Sequence, residues 1–215
     1  LKTDNWEAAH WFDGLCLLYS LQFSQGSAQF LSRYVRSRQY DAVQGGREPA
    51  ADFGRMPKTT LLGRLRRKFE ITDNPNVNVA RLGEVPIAMT ETPHQMSFRL
   101  DDLDCRTHIS YPKDELAGAN LLAHPHRGPK GEMINVANRI GPHSEVMIYR
   151  ATSSSQKRQI LFRHKTMQLP YLHSFALTQR HAVLFDHSLR LSALRLLWGG
   201  KGIVDNYQWR AHEPG

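Results

Sequence analysis

Two histidines in apolar, strand-like surroundings are the residues of this sequence best suited to chemistry. His124 lies in the segment AHPH at residues 123–126, and His173 lies in the segment LHSFALT at residues 172–178. Neutral imidazole is the commonest metal ligand of proteins. Two such histidines, far apart in the sequence, therefore indicate a metal site that the fold assembles. For either histidine alone, a structural imidazole hydrogen-bonded to the backbone is the simpler alternative.

The length and composition are those of a globular protein that forms one domain with a sizeable core, or part of a larger domain. The chain has 215 residues, of which 40% are hydrophobic, and this is enough for one sizeable domain. Its apolar runs are short and interrupted by Arg, His or Ser. A membrane-spanning helix needs about 18 consecutive apolar residues, so we expect none here.

The cysteine content and the charge distribution indicate which cellular compartment and which binding partners to expect. Cys16 and Cys105 form neither a CxxC pair nor a disulfide framework, so we expect a reducing, cytoplasmic setting. The net charge is +8, but the cations are not interleaved with aromatic residues as in single-stranded nucleic-acid binding. We therefore predict no nucleic-acid partner. The sequence also lacks G-x-S-x-G, P-loop, G-x-G-x-x-G and H-E-x-x-H motifs, so nothing indicates triad hydrolysis or nucleotide binding.

Positive charge is concentrated at residues 55–69. If this segment is helical, its apolar side chains share one face at spacings of three and four, with cations around them. The apolar residues of this face are Leu61, Leu62, Leu65 and Phe69. A basic helix with an apolar stripe is typical of a helix at a membrane surface. We therefore predict peripheral membrane contact through these residues; the alternative is that the stripe packs against its own domain.

The rest of the chain alternates between short strand-like runs and turns rich in Gly, Asn, Pro and Ser. This pattern predicts an all-β fold, namely a sandwich, barrel or propeller, and it lacks the βαβ alternation of a parallel doubly wound sheet. The segment 48–69 interrupts the pattern and is predicted to be a loop followed by a helix. Strands are predicted at residues 14–23, 28–35, 77–82, 85–91, 133–137, 146–151, 159–163, 175–177 and 182–191.

Five parts of the chain match, in order, the signature blocks of one protein family. They are HWFDG at residues 10–14, SRYVRS at 32–37, NVNV at 76–79 together with AMTE at 88–91, AHPH at 123–126, and LHSFALT at 172–178. On these blocks the chain resembles the carotenoid cleavage oxygenases. That family also contains the retinal pigment epithelium isomerohydrolase and the stilbene-cleaving dioxygenases. Five ordered blocks that span most of the chain are far more specific than any one of them.

The resemblance implies a fold and a metal site. The family fold is a seven-bladed β-propeller in which four histidines hold an iron(II) ion on the axis. By resemblance, His124 is the first iron ligand, His173 is the second, and Glu91 accepts a hydrogen bond from His173. Such a carboxylate fixes the tautomer of the ligand and raises its basicity. His126 and His187 are left out of the site, since neither matches a ligand position of the family.

The resemblance covers the N-terminal and central part of such a propeller. We expect residues 1–215 to form one incomplete propeller domain, with three to five four-stranded antiparallel sheets as blades and a short helical insertion. The third and fourth histidine motifs of the family would lie beyond Gly215. We therefore expect this chain alone neither to bind iron tightly nor to turn over substrate.

The activity implied by the resemblance is that of an iron(II)-dependent dioxygenase. It would use dioxygen to cleave a conjugated carbon–carbon double bond of a carotenoid or apocarotenoid, giving carbonyl products. Three alternatives stay open: a stilbene-type phenylpropanoid dioxygenase, a retinoid ester isomerase, and a non-catalytic partial propeller that serves as a binding module. The residues themselves do not identify the substrate or the bond that is cut.

Overall fold

The computed structural model describes most of the chain but not all of it. The described residues are 2–3, 6–47, 49–50, 53–54, 71–111, 114–155, 157–198 and 203–212. The predicted membrane-contact residues lie outside this set; they are Leu61, Leu62, Leu65 and Phe69.

The regular secondary structure of the described residues is mainly β-strand. The strands are β1 (Lys2–Thr3), β2 (Trp6–Glu7), β3 (Leu17–Ser24), β4 (Ser27–Tyr34), β5 (Asn78–Leu82), β6 (Val85–Met89), β7 (Gln95–Phe98), β8 (Cys105–His108), β9 (Asn120–Leu121), β10 (His126–Arg127), β11 (Met133–Arg139), β12 (Ser144–Ala151), β13 (Gln159–Thr166), β14 (Leu169–Pro170), β15 (Ala176–Leu177), β16 (Ala182–Val183), β17 (Leu189–Leu191) and β18 (Tyr207–Trp209). The helices are α1 (Arg38–Gln44), α2 (Ala193–Trp198) and two 3-10 turns at Trp11–Asp13 and Val204–Asn206. None of these helices is long and apolar enough to cross a membrane.

Two antiparallel sheets contain most of the described strand residues. Strands β5, β6, β7 and β8 form a four-stranded meander. The second sheet runs β10-β11-β12-β13, and β9 also pairs with β11. Smaller sheets are formed by β3 with β4, by β15 with β16, and by β14, β17 and β18. A four-stranded antiparallel sheet is the unit of a propeller blade. The described part of the chain contains no closed sheet, so the seven-bladed arrangement stays a prediction.

The five-stranded sheet separates two hydrophobic cores. Because side chains alternate along a strand, Met133 and Ala137 of β11 enter one core, and Ile134 and Val136 enter the other. The first core also holds buried side chains of β5 and β6, so the two large sheets pack against each other. The second core joins β11 to the segments around β14 and β17. Strands that are buried on both faces in this way hold the backbone of the neighbouring site in place.

Helix α1 is stabilised by two polar caps. The Ser37 side chain accepts a hydrogen bond from the backbone N–H of Tyr40, at 3.0 Å. The buried carboxylate of Asp73 accepts from the backbone N–H groups of Arg38 and Gln39, at 2.9 and 3.0 Å. These groups are the otherwise unpaired donors at a helix start. Asp73 therefore ties α1 to the segment that leads into β5.

One predicted strand is wrong in its middle. The prediction of a continuous strand at residues 182–191 is replaced by two short strands, β16 and β17, with no strand at residues 184–188. The imidazole Nδ1 of His187 accepts a hydrogen bond from the backbone N–H of Leu189, at 3.1 Å. Arg190 also pairs with Asp186. Local side-chain contacts of this kind compete with the hydrogen bonds of a sheet.

Candidate metal centre

His124 is positioned by the edge of the five-stranded sheet. It follows β9, whose residue Asn120 pairs with Asn138 of β11. The next backbone contact is the N–H of Leu122, which donates to the carbonyl of Val136 at 2.9 Å. The carbonyl of Ala123 then accepts from the side-chain amide of Asn78, at 2.8 Å. These three contacts fix the backbone immediately before His124.

His173 is positioned by the smaller sheet of β14, β17 and β18. Leu169 and Pro170 of β14 pair with β17, and the backbone N–H of Tyr171 extends this pairing by donating to the carbonyl of Leu189 at 2.8 Å. Leu172 is buried in the second core. The burial of Leu172 and the backbone pairing of Tyr171 therefore fix the backbone immediately before His173.

The imidazole rings of His124 and His173 approach each other with their Nε2 atoms. Nε2 of His124 lies 3.0 Å from Nε2 of His173. The ring centroids are 4.5 Å apart and the ring planes are inclined at 65°. Two histidines from different sheets thus direct their Nε2 atoms to one point.

Glu91 lies behind His173, two residues beyond the end of β6. Its carboxylate accepts a short hydrogen bond from Nδ1 of His173. The Glu91 side chain is only 13% exposed. Burial raises the pKa of Glu91, and the hydrogen bond and charge interaction with His173 oppose this shift. Because the carboxylate accepts this hydrogen bond and keeps the proton on Nδ1, the Nε2 lone pair of His173 is free to bind a metal ion.

Tyr171 completes the surroundings of this carboxylate. Its hydroxyl lies 3.3 Å from Nδ1 of His173, and the two rings are stacked with an angle of 20°. Burial, and then the negative charge of Glu91, raise the pKa of Tyr171 to about 12. The phenol therefore stays protonated and can donate to Glu91. Sequence reasoning missed Tyr171, although its position two residues before His173 in an extended segment places both on one side.

Among the described residues, the neighbour of His124 at Nδ1 is an amide and not a carboxylate. The Nδ2 atom of Asn78 lies 3.4 Å from Nδ1 of His124. Burial, and then the nearby His173, lower the pKa of His124. The lowered pKa favours the neutral imidazole, which is the form that binds metals. Asn78 belongs to the NVNV block, but sequence reasoning gave it no role.

The two histidines left out of the site have structural contacts. Nε2 of His126 donates to the carbonyl of Phe175 at 2.8 Å, and the two rings pack edge to face. His187 accepts from the backbone of Leu189. Within the described part of the chain, neither imidazole is hydrogen-bonded to His124 or His173; each instead bonds to a backbone group.

A large cavity of about 1000 Å³ opens beside the two imidazoles. His124, His173 and Glu91 are part of its wall. The rest of the wall is mainly aliphatic and aromatic, and includes Trp11, Phe12, Leu122, Leu172, Leu191 and Ile203. A concave apolar cavity with a few convergent polar groups is the usual form of a small-molecule site. Its lining suits a large apolar ligand.

The described residues bring two candidate metal ligands, His124 and His173, together at this site. Within them, no group of three or more His, Cys, Asp or Glu side chains is arranged to hold a metal ion. The described residues therefore bring together His124, His173 and Glu91, and the roles of these residues as ligands and support remain predictions.

Comparison with known proteins identifies the family. The family model described as retinal pigment epithelial membrane protein matches residues 1–215, and the chain belongs to this family. Among curated relatives, the β,β-carotene 15,15'-dioxygenase of Gallus gallus is 26% identical over 213 residues, which are 87% of this chain and 40% of the relative. The mitochondrial carotenoid-cleaving dioxygenase of Homo sapiens is 24% identical over 226 residues, 93% of this chain and 39% of the relative.

Superposition on solved structures shows that the chain shares their fold. The cobalt-substituted apocarotenoid oxygenase of Synechocystis superposes with a TM-score of 0.74 at 20% identity, covering 96% of this chain and 45% of that one. A chimera of that oxygenase and RPE65 gives a TM-score of 0.73 at 19% identity, with the same coverage. The family predicted from the five sequence blocks is confirmed. The chain spans about 40% of the length of the curated relatives that it matches.

Proposed function

We propose that this chain belongs to a non-haem iron(II) dioxygenase that cleaves a conjugated double bond of a carotenoid or apocarotenoid. The products are two carbonyl compounds. The observation that carries the proposal is the meeting of the His124 and His173 imidazoles at the wall of an apolar cavity. The family supports it, since the relatives named above are described as carotenoid dioxygenases.

The donor set of the site fits an iron(II) ion. Imidazole nitrogen suits ferrous iron, and the lowered pKa of His124 favours its neutral imidazole. The Nε2 atoms of His124 and His173 lie 3.0 Å apart, which is close enough for both to bind one metal ion through metal–imidazole bonds of about 2.1 Å. A solved relative of the same fold is described as cobalt-substituted, which agrees with a metal-binding family.

In this proposal one group of residues holds the metal, and another group binds the substrate. Iron(II), when bound, supplies the binding and activation of dioxygen. His124 and His173 hold it, and Glu91 keeps the proton of His173 on Nδ1. Tyr171 donates to Glu91 and limits the movement of that carboxylate. The apolar cavity wall binds the polyene beside the imidazoles and excludes water.

The architecture is part of the same proposal. We interpret the four-stranded sheet β5–β8 and the five-stranded sheet around β11 as two blades of a seven-bladed propeller, with residues 1–215 as one incomplete domain. The metal site would then lie where successive blades meet near the axis. The segment 58–69 would contact a membrane, because polyenes are too insoluble to arrive through water.

A cleavage assay tests the function directly. The protein is made both as this chain and from the whole reading frame that encodes it, loaded with iron(II), and incubated with β-carotene or an apocarotenal. We expect loss of the visible polyene absorption and two carbonyl products with the whole reading frame, and none with the 215-residue chain. His124→Ala and His173→Ala should abolish cleavage, whereas His164→Ala, at an exposed position of β13, should not. Cleavage that survives either of the first two substitutions would contradict the proposal.

A further inference from the structure

Asn138 places a buried amide in the wall of the apolar cavity. It lies on β11, on the same face as Ile134 and Val136 of the second hydrophobic core. It is only 8% exposed. Its neighbour across the strand pair is Asn120 of β9, which also lines the cavity. Two amides therefore stand side by side in an otherwise mainly apolar wall.

The side chain of Asn138 is incompletely hydrogen-bonded. Its buried Oδ1 atom has no hydrogen-bond partner among the residues that the structure describes. The buried Asn135 of the same strand is different, because its Nδ2 donates to the carbonyl of Leu122 and its Oδ1 accepts from the N–H of Val136. A buried amide without a partner costs stability, and most buried polar groups avoid this cost. Its position in a cavity wall suggests that a ligand provides the partner.

We propose that Asn138 binds a hydroxyl group of the substrate, and that the cavity is adapted to a hydroxylated carotenoid. This inference rests on the proposed function, which makes the cavity the substrate site. A hydrocarbon polyene offers no group that an amide can bind. A hydroxyl both donates and accepts, so it can pair with either end of the Asn138 amide. Asn120 supplies a second amide at the same place.

The position of these amides indicates a role in substrate selection. Asn120 and His124 are four residues apart in the sequence, so their Cα atoms are separated by at most about 14 Å. The hydroxyl-binding point therefore lies within the length of one polyene from the imidazole pair. Asn138 does not touch the reacting bond in this arrangement. It determines which substrate binds, and in which register along the cavity.

The test compares two carotenoids that differ by one hydroxyl, β-carotene and β-cryptoxanthin. Each is added from detergent micelles to the metal-free protein, and binding is followed by quenching of tryptophan fluorescence, since Trp11 lines the cavity. We expect β-cryptoxanthin to bind about 3- to 10-fold more tightly, as one net hydrogen bond provides. Asn138→Leu should remove this preference by weakening the binding of β-cryptoxanthin alone. The control Ile140→Leu, an apolar exchange in the same wall, should retain the preference.

A melting experiment separates ligand binding from a structural role. If the amide serves only the ligand, Asn138→Leu removes an unpaired buried group, and the melting temperature should stay the same or rise by about 2–4 °C. A lower melting temperature would indicate that the amide stabilises the fold, and would overturn the proposal.

The affinities of the wild-type protein for the two carotenoids also test the inference, without any variant. Equal affinity of the wild-type protein for both carotenoids, or failure to bind either, overturns the inference. A preference that persists in Asn138→Leu does the same. Because binding is measured without iron or dioxygen, a hydroxyl preference without cleavage would refute the proposed function alone, whereas cleavage of both carotenoids without a preference would refute this inference alone.

Discussion

The Nε2 atoms of His124 and His173 lie 3.0 Å apart, although 49 residues separate the two histidines in the chain. Each imidazole follows a two-residue strand, β9 or β14, and each of these strands is anchored to a longer neighbour. The contact therefore depends on how two sheets pack, and not on a local motif. Changes behind either ring should alter metal binding without touching the metal.

Glu91→Gln should weaken metal binding by about 10- to 100-fold. The substitution keeps the shape of the side chain but removes the charge that fixes the Nδ1 proton of His173. The measurement is a cobalt(II) titration followed by visible absorption. Glu84→Gln is the matched control, because the Glu84 side chain is 86% exposed and pairs with Arg81 at the surface. Equal cobalt affinity of the two variants would show that Glu91 does not support the ligand.

Asn78→Leu should weaken cobalt binding by about tenfold. The amide of Asn78 holds the carbonyl of Ala123 and lies beside Nδ1 of His124, so its removal leaves that imidazole without support. Val79→Ala is the control, since Val79 is the next residue of β5 and is 54% exposed. An unchanged affinity in Asn78→Leu would mean that the sheet edge alone positions His124.

Asp73→Ala should destabilise the fold by about 3 kcal/mol near pH 7, because it leaves buried donors unpaired. Burial by itself raises the pKa of Asp73, but the N–H groups of Arg38 and Gln39 and the Arg38 guanidinium outweigh it and lower the pKa below its usual value. The stabilisation is therefore complete above the unfolded-state pKa of about 4 and is lost as the pH falls through the lower folded-state value. Urea unfolding of both proteins across this range measures the difference, which should be constant at higher pH and shrink under acid. A difference that does not depend on pH would contradict this assignment.

Arg66→Glu combined with Arg67→Glu should weaken binding to anionic vesicles by more than about 30-fold. Each cation near such a surface contributes about 1 kcal/mol, and this variant loses two of them. Co-sedimentation with phosphatidylcholine–phosphatidylserine vesicles gives the affinity. The control reverses two exposed cations elsewhere, Lys157→Glu and Lys165→Glu. If vesicle binding is unaffected by Arg66→Glu and Arg67→Glu together, the result favours the alternative, in which the apolar stripe of residues 61–69 packs against its own domain.

The sequence predicts the strands better than it predicts helix α1 or the contacts between segments that are remote in the chain. Residues 17–24 and 27–34 are recognisable as a hairpin, because a Gln-Gly turn separates two alternating runs. Helix α1 was not predicted, since it has only seven residues and takes its stability from the distant Asp73. In the same way, the ligand candidates and Glu91 were found through short motifs. The contacts of Asn78, Tyr171 and Asn138 join segments that are remote in sequence, and a pattern along the chain does not reveal them.

Paramagnetic broadening of the histidine NMR signals by cobalt(II) tests the shared metal site most directly. We predict that the imidazole signals of His124 and His173 broaden at the same cobalt concentration, while the signal of the exposed His164 persists. In His173→Ala, the concentration needed to broaden His124 should rise by at least about tenfold, because one of two ligands has been removed. Broadening of His124 at an unchanged concentration in that variant would show that the two histidines do not share a metal ion.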